Sequence, residues 1–149
     1  MRSSLTLSQY VKKRNGVPLG ASHSMRNMFA RSLGAKSFPA FWYYWNPIWS
    51  YYLSRNVMRP LNKFLPSSLA VFITFIVSGA LHDLAVSLVK WKAVFFFTPW
   101  FGLMGLIVIT STKLSVSYGY FAWHTRAIIN VFIIVVTLCL TYIVDNVYT

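Results

Sequence analysis

Three uninterrupted apolar runs, residues 67 to 89, 93 to 112 and 127 to 147, decide what this 149-residue chain can fold into. Each can cross a hydrocarbon core about 30 Å thick, which takes roughly 20 helical residues at 1.5 Å apiece. In lipid each must be helical, because backbone N–H and C=O groups have no water to bond and an open sheet edge would leave them unsatisfied. Pro66 stands just ahead of the first run, where a missing amide hydrogen matters little. Pro99, near the start of the second run, is followed by Gly102 and Gly105, which permit a kink or a close helix approach. The expected fold is all-α: a polytopic membrane protein of about three transmembrane helices with an interfacial or re-entrant aromatic helical segment ahead of them.

The charges agree. Only 11% of residues are charged, against roughly a quarter in an average soluble domain. Asp83 and Asp145 are the only acids, while 14 Lys and Arg leave a net charge of +12. That excess in a soluble protein would point to nucleic acid, but nucleic-acid modules do not carry three long apolar runs, so no nucleic-acid partner is expected. Cys139 is the single cysteine, and His23, His82 and His124 are scattered, so neither a disulfide framework nor a metal site is expected. No glycine loop for phosphate or dinucleotide is present, and no bound cofactor is expected. The first 25 residues lack the apolar stretch of a secretory signal, so insertion is expected through internal helices.

Seven Lys and Arg precede Ser37, three more fall before Pro66, Lys90 and Lys92 follow the first run, and Lys113 and Arg126 flank the segment between the second and third. With residues 37 to 66 on one side and the amino terminus in the cytoplasm, twelve basic residues face the cytoplasm and two the opposite side, as the positive-inside rule demands. The expected location is a bacterial plasma membrane or the endoplasmic reticulum. Residues 1 to 36, rich in Ser, Arg, Lys and Gly and without helical or strand periodicity, read as a basic cytoplasmic arm, partly disordered and either drawn to anionic lipid or simply solvated. Residues 37 to 149 read as the membrane domain.

Between arm and first run lies a dense aromatic cluster, Phe41, Trp42, Tyr43, Tyr44, Trp45, Trp49, Tyr51 and Tyr52, bounded by Pro39 and Pro60 and broken by Pro47. Trp and Tyr favour the headgroup level, so residues 37 to 66 read as interfacial or re-entrant. A helix from residue 48 to 59 would set Arg55 and Arg59 one turn apart, but its aromatics run all round, which argues for burial against protein on several sides.

His82 and Asp83 lie beyond the middle of the first run. Ionisable groups at such depth are costly and normally face a bundle interior, a cavity or a substrate path. Two readings stand: a site, or a neutral histidine bonded between helices beside an aspartate near a helix end. In a helix His82 shares its face with Ser78, while Asp83 points about 100° away and does not reach the His82 ring. Ser78 is then either a nucleophile with its base or a small helix-packing residue bonded to its own backbone. Asp145 reads as an interfacial residue near the end of the last run.

Phe41-Trp42-Tyr43-Tyr44-Trp45-Asn46-Pro47, then Arg59-Pro60-Leu61, then Phe75-Ile76-Val77-Ser78-Gly79-Ala80-Leu81-His82-Asp83, resemble in order and setting the membrane-bound O-acyltransferase family, including its wax-synthase-like and sterol-acyltransferase-like branches. Those proteins carry FW-x-x-W with a polar residue after it, an arginine-proline element, and a histidine closing S-G-x-x-H in an apolar helix. The resemblance covers residues 25 to 90, and later runs in character only. It implies acyl transfer from a thioester donor such as acyl-CoA to a hydroxyl, with His82 as the catalytic base and Asn46 as its polar partner, donating to an oxyanion or orienting the acceptor. It implies substrate or lipid contacts for Trp42, Trp45, Ser78 and Asp83, and for Arg55 and Arg59 a meeting with donor or lipid phosphates. Family members are several times longer, and three helices hardly enclose a tunnel for acyl chain and acceptor together. Besides the lipid bilayer as partner, three readings follow: a half-protein that needs a separate amino-terminal half, a self-associating minimal form, or a remnant that keeps the motif without the activity. The pair His82-Asp83 departs from the commoner histidine-glycine or histidine-glutamate and leaves the branch open. From a different class, a non-catalytic membrane subunit that binds lipid or a partner protein through its basic arm accounts for the same composition.

Overall fold

Thr6 begins the first helix. Its side chain accepts from the Gln9 amide at 3.3 Å while the Gln9 side chain accepts from the Thr6 amide at 3.0 Å, a reciprocal pair that satisfies two amides left over at a helix start. The computed structural model describes residues 4 to 148, and every regular element among them is helical. Helix α1 is Leu7–Asn15, α2 Ser24–Leu33, α3 Phe38–Tyr44 and α4 Pro47–Leu53; a π-helical stretch, Ser54–Met58, joins α4 to the short α5, Arg59–Leu61. Three long helices follow: α6 Ser67–Lys90, α7 Phe97–Lys113 and α8 Trp123–Tyr148.

The sequence of residues 1 to 36 shows no helical periodicity, yet α1 and α2 within it are helices; residues 1 to 3 of the expected arm lie outside the described residues. Leu7, Tyr10, Val11, Arg14 and Asn15 fall on one helical face and are the partly or fully buried residues of α1. Two of the five are strongly polar, so hydropathy does not betray the face. Asn15 donates to the carbonyl and hydroxyl of Ser24 at 2.9 and 2.8 Å, and Arg31 donates to the Arg14 carbonyl at 3.0 Å, tying α2 to α1.

Proline shapes the next stretch. Pro60 has no amide hydrogen and its ring crowds the carbonyl four residues back; just before it, the Arg59 amide bonds to Ser54, five residues back.

α6 and α7 form an antiparallel hairpin. The amides of Phe96, Phe97 and Thr98 donate to the Asp83 carboxylate at 2.9, 2.8 and 2.8 Å, and the Thr98 hydroxyl joins them at 2.6 Å. A negative group is at home there, because the first amides of a helix have no partner within it and carry the positive end of its dipole. This capture, with Pro99 in the first turn, starts α7 at Phe97 rather than at residue 93 as the apolar run implied. Gly79 lets the two helices meet: a Cβ there would lie 2.6 Å from the Phe97 carbonyl oxygen and 2.7 Å from the Thr98 Cα.

α8 closes the structure against both halves. Trp100 donates to the Thr137 hydroxyl at 3.1 Å. Fully buried Asn130 donates to the carbonyls of Leu33 and Ala35 at 2.8 and 3.1 Å and accepts from the Tyr118 hydroxyl. Trp123 donates to the Ala30 carbonyl at 2.9 Å.

Of the three expected spans, α6 and α8 are long and apolar enough to cross a membrane, and only 22% and 17% of their apolar windows are buried by the protein itself. Leu84, Leu88, Val89, Ile128, Phe132 and Leu140 are exposed, a large apolar surface of the kind that marks a membrane or a partner rather than water. α7 has 17 residues and is shorter than the other two.

Candidate functional site

Asn46 sits where α3 turns into α4. The residue before a proline is discouraged from the right-handed helical region, and Asn is one of the few non-glycine residues that tolerate the left-handed one. Asn46 takes that conformation, with φ 41°, and its Oδ1 accepts from the Trp49 amide at 3.2 Å, capping α4 ahead of Pro47. Oδ1 is therefore engaged, and the Nδ2 hydrogens are what Asn46 can offer a ligand.

α6 supplies the histidine. His82 Nδ1 lies 2.7 Å from the Ser78 carbonyl oxygen, one turn earlier. A carbonyl only accepts, so Nδ1 carries the hydrogen, and in the neutral ring Nε2 holds the free lone pair. Trp49 meets the ring edge-on at 5.9 Å between centroids, while Phe97 and Phe101 lie at 5.7 and 4.9 Å. The Ser78 hydroxyl accepts from the Trp49 indole at 2.9 Å. The His82 ring thus bonds the Ser78 backbone, not its hydroxyl, and the serine-nucleophile arrangement is absent. Between Ser67 and Ser78 the helix rises about 17 Å, so Trp49 reaches α6 far from its start.

His82, Ser78, Asn46, Trp42 and Trp45 line one cavity of about 280 Å³. Of the other residues nominated from sequence, Arg55 and Arg59 are exposed and lie outside it, with Arg55 donating to the Tyr51 hydroxyl at 2.9 Å. Asp83 is also outside it, its carboxylate committed to the start of α7. Reasoning from sequence missed that role, because the partners stand 13 to 15 residues away across a turn.

It also missed Tyr10 and Arg14, which bring α1 to the cavity wall. The Arg14 guanidinium sits 4.3 Å from the centroid of Tyr10 and 3.9 Å from that of Tyr43, and Nη1 donates to the Tyr43 carbonyl at 2.7 Å. Burial lowers the Arg14 pKa from its ordinary value, opposed by the two tyrosines; burial likewise raises that of Tyr10, opposed by Arg14. Among the described residues no three His, Cys, Asp or Glu side chains gather as a metal site would require.

Fold and cavity describe an all-helical protein with membrane-length apolar helices and a half-buried histidine facing an aromatic cavity. Over 48 residues, 32% of the chain, the sequence is 44% identical to a probable sterol O-acyltransferase 2 of Schizosaccharomyces pombe (strain 972 / ATCC 24843). The matched stretch makes up 10% of that relative, so the chain spans about a tenth of its length. No family model matches the chain, and no solved structure matches it.

Proposed function

We propose that this chain is the histidine-bearing part of a membrane-embedded acyltransferase, moving an acyl group from a thioester donor such as acyl-CoA to a hydroxyl acceptor, of which a sterol is one candidate. The observation that carries the reading is the His82 ring, held by Nδ1 with Nε2 available, in the same cavity as Asn46. The short similarity to a sterol O-acyltransferase supports the reaction class.

In this mechanism neutral His82 takes the acceptor hydroxyl proton on Nε2 as the acceptor oxygen attacks the thioester carbonyl. The carbonyl oxygen becomes an oxyanion, toward which Asn46 donates from Nδ2. Collapse expels the thiolate, which recovers the proton from the His82 imidazolium and leaves the ester. Trp42, Trp45 and Trp49 exclude water, so the thioester meets the acceptor rather than hydrolysis.

In the same reading α6, α7 and α8 are three spans, the twelve basic residues of the amino-terminal side face the cytoplasm, and Arg55 and Arg59 meet headgroup phosphates there. Further protein beyond these helices completes the tunnel wall.

The test is transfer from labelled acyl-CoA to lipids and alcohols in membranes containing the wild-type chain or His82→Ala at equal abundance. A product that disappears with His82→Ala is expected; a product made equally by both would overturn the assignment of His82.

A further inference from the structure

Helix α1 brings to the His82 cavity a set of groups that the transfer step does not use. Tyr10 is 6% exposed, and its hydroxyl is buried with no hydrogen-bond partner. The indole N–H of Trp42, on the same cavity, is likewise buried and unpartnered. Arg14 lies against the Tyr10 ring, and a guanidinium fork has five N–H donors, of which Nη1 goes to the Tyr43 carbonyl. Among the described residues no carboxylate lines the cavity: Asp83 is bound to α7, and Asp145 belongs to a separate groove with Phe72, Leu103 and Tyr148.

A buried hydroxyl or indole N–H is normally paired, and a half-buried cation normally has a counter-ion. One cation beside the space, two unpaired donors set in its wall and no acid select a ligand that is anionic and rich in acceptor oxygens, one that reaches the two donors by displacing the Tyr10 and Trp42 side chains. A phosphate offers several acceptor oxygens and two of them to a guanidinium at once.

We propose that Arg14, Tyr10 and Trp42 form a phosphate-binding subsite of this cavity, which holds the phosphate-bearing end of the thioester donor. The anion site stands on the geometry; its assignment to a thioester rests on the acyltransferase reading. A phospholipid headgroup presents the same chemistry, and the test separates the two sources.

The full chain in dodecylmaltoside micelles, which carry no phosphate, would be titrated with free coenzyme A, with palmitoyl-CoA and with S-palmitoyl-N-acetylcysteamine, a thioester without phosphate. A further titration would use micelles doped with phosphatidylglycerol. Free coenzyme A should bind. Arg14→Gln should weaken it about tenfold and Tyr10→Phe about fivefold, as expected for losing a charged and a neutral hydrogen bond. Tyr10→Phe keeps the edge-on ring contact with Tyr51 at 5.4 Å, so it probes the hydroxyl without removing the packing. Exposed Lys13→Gln should change binding less than twofold, roughly one surface charge. The phosphate-free thioester should not distinguish Arg14→Gln from wild type.

If phosphatidylglycerol blocks the coenzyme, or binds alone, with the same dependence on Arg14 and Tyr10, the phosphate is that of a lipid. If neither free coenzyme A nor phosphatidylglycerol distinguishes the two variants from wild type, the subsite is wrong. Transfer that needs His82 but is indifferent to Arg14 and Tyr10 at every donor concentration removes the subsite alone. Arg14-dependent coenzyme binding without His82-dependent transfer removes the transferase reading alone.

Discussion

His82 Nδ1 and the carbonyl oxygen of Ser78 are 2.7 Å apart, a side chain bonded to the backbone of its own helix one turn back. The ring orientation therefore depends on the carbonyl of residue 78 and not on its hydroxyl. Ser78→Ala keeps that carbonyl and removes only the bond from Trp49, a net loss of about 1 kcal/mol. Acyl transfer by Ser78→Ala should stay within about fivefold of wild type, whereas a serine nucleophile would make the variant inactive; initial rates at saturating acyl-CoA decide between the two.

Asn46 carries a structural and a proposed chemical duty on different atoms. Asn46→Asp keeps an oxygen to cap α4, tolerates the left-handed backbone and places a negative charge at a helix start, so thermal stability should hold or rise. It lacks the amide hydrogens, and transfer should fall by about 10²-fold if Asn46 faces the oxyanion. Melting temperature and kcat measured on the same preparation read the two duties apart.

Replacing Asp83 should act through α7. Asp83→Ala leaves three amides and a hydroxyl without their acceptor, a loss of about 3 kcal/mol or more given about 1–3 for each buried unmatched group. Phe97 and Phe101, which flank the His82 ring, stand on the first turns of that helix. A lower melting temperature in detergent, faster proteolysis between residues 91 and 96, and reduced transfer should appear together; Asp83→Asn, retaining an acceptor, should fall between.

Tyr118 supplies a pH dependence outside the long helices. Burial pushes its pKa from 10.0 up to about 12. The folded state then holds the phenol proton more tightly than the unfolded chain does, so the contribution is complete below pH 10 and is lost as pH rises toward about 12. Relative to Tyr118→Phe, the wild type should lose stability across that window and be parallel to it below. Melting curves from pH 8 upward, alongside tyrosinate absorbance, check the sign.

The apolar runs were legible because lipid leaves the backbone one arrangement, and α6 and α8 coincide with two of them to within a few residues. α7 starts later than its run because Asp83, on a different helix, determines where its first amides are satisfied. The amino-terminal helices were not legible: Arg14 and Asn15 occupy the inward face of α1, and nothing in their polarity marks them as inward. Asn46-Pro47 could have been read as a helix start, since asparagine ahead of proline is a capping pair. The grouping of Tyr10 and Arg14 with His82 depends on contacts across the whole chain and has no local signature.

Asn130 gives the molecule a timetable. Its partners at Leu33 and Ala35 are 97 and 95 residues away, and Trp123 reaches back 93 residues to Ala30. At a synthesis rate of about 5–20 residues per second, the amino-terminal third waits on the order of ten seconds before the residues that anchor it exist. During that interval the end of α2 and the turn into α3 are without their bonds to α8. The clasp on α2 and the turn after it therefore closes only when α8 has been made, more than ninety residues after the segment it fastens.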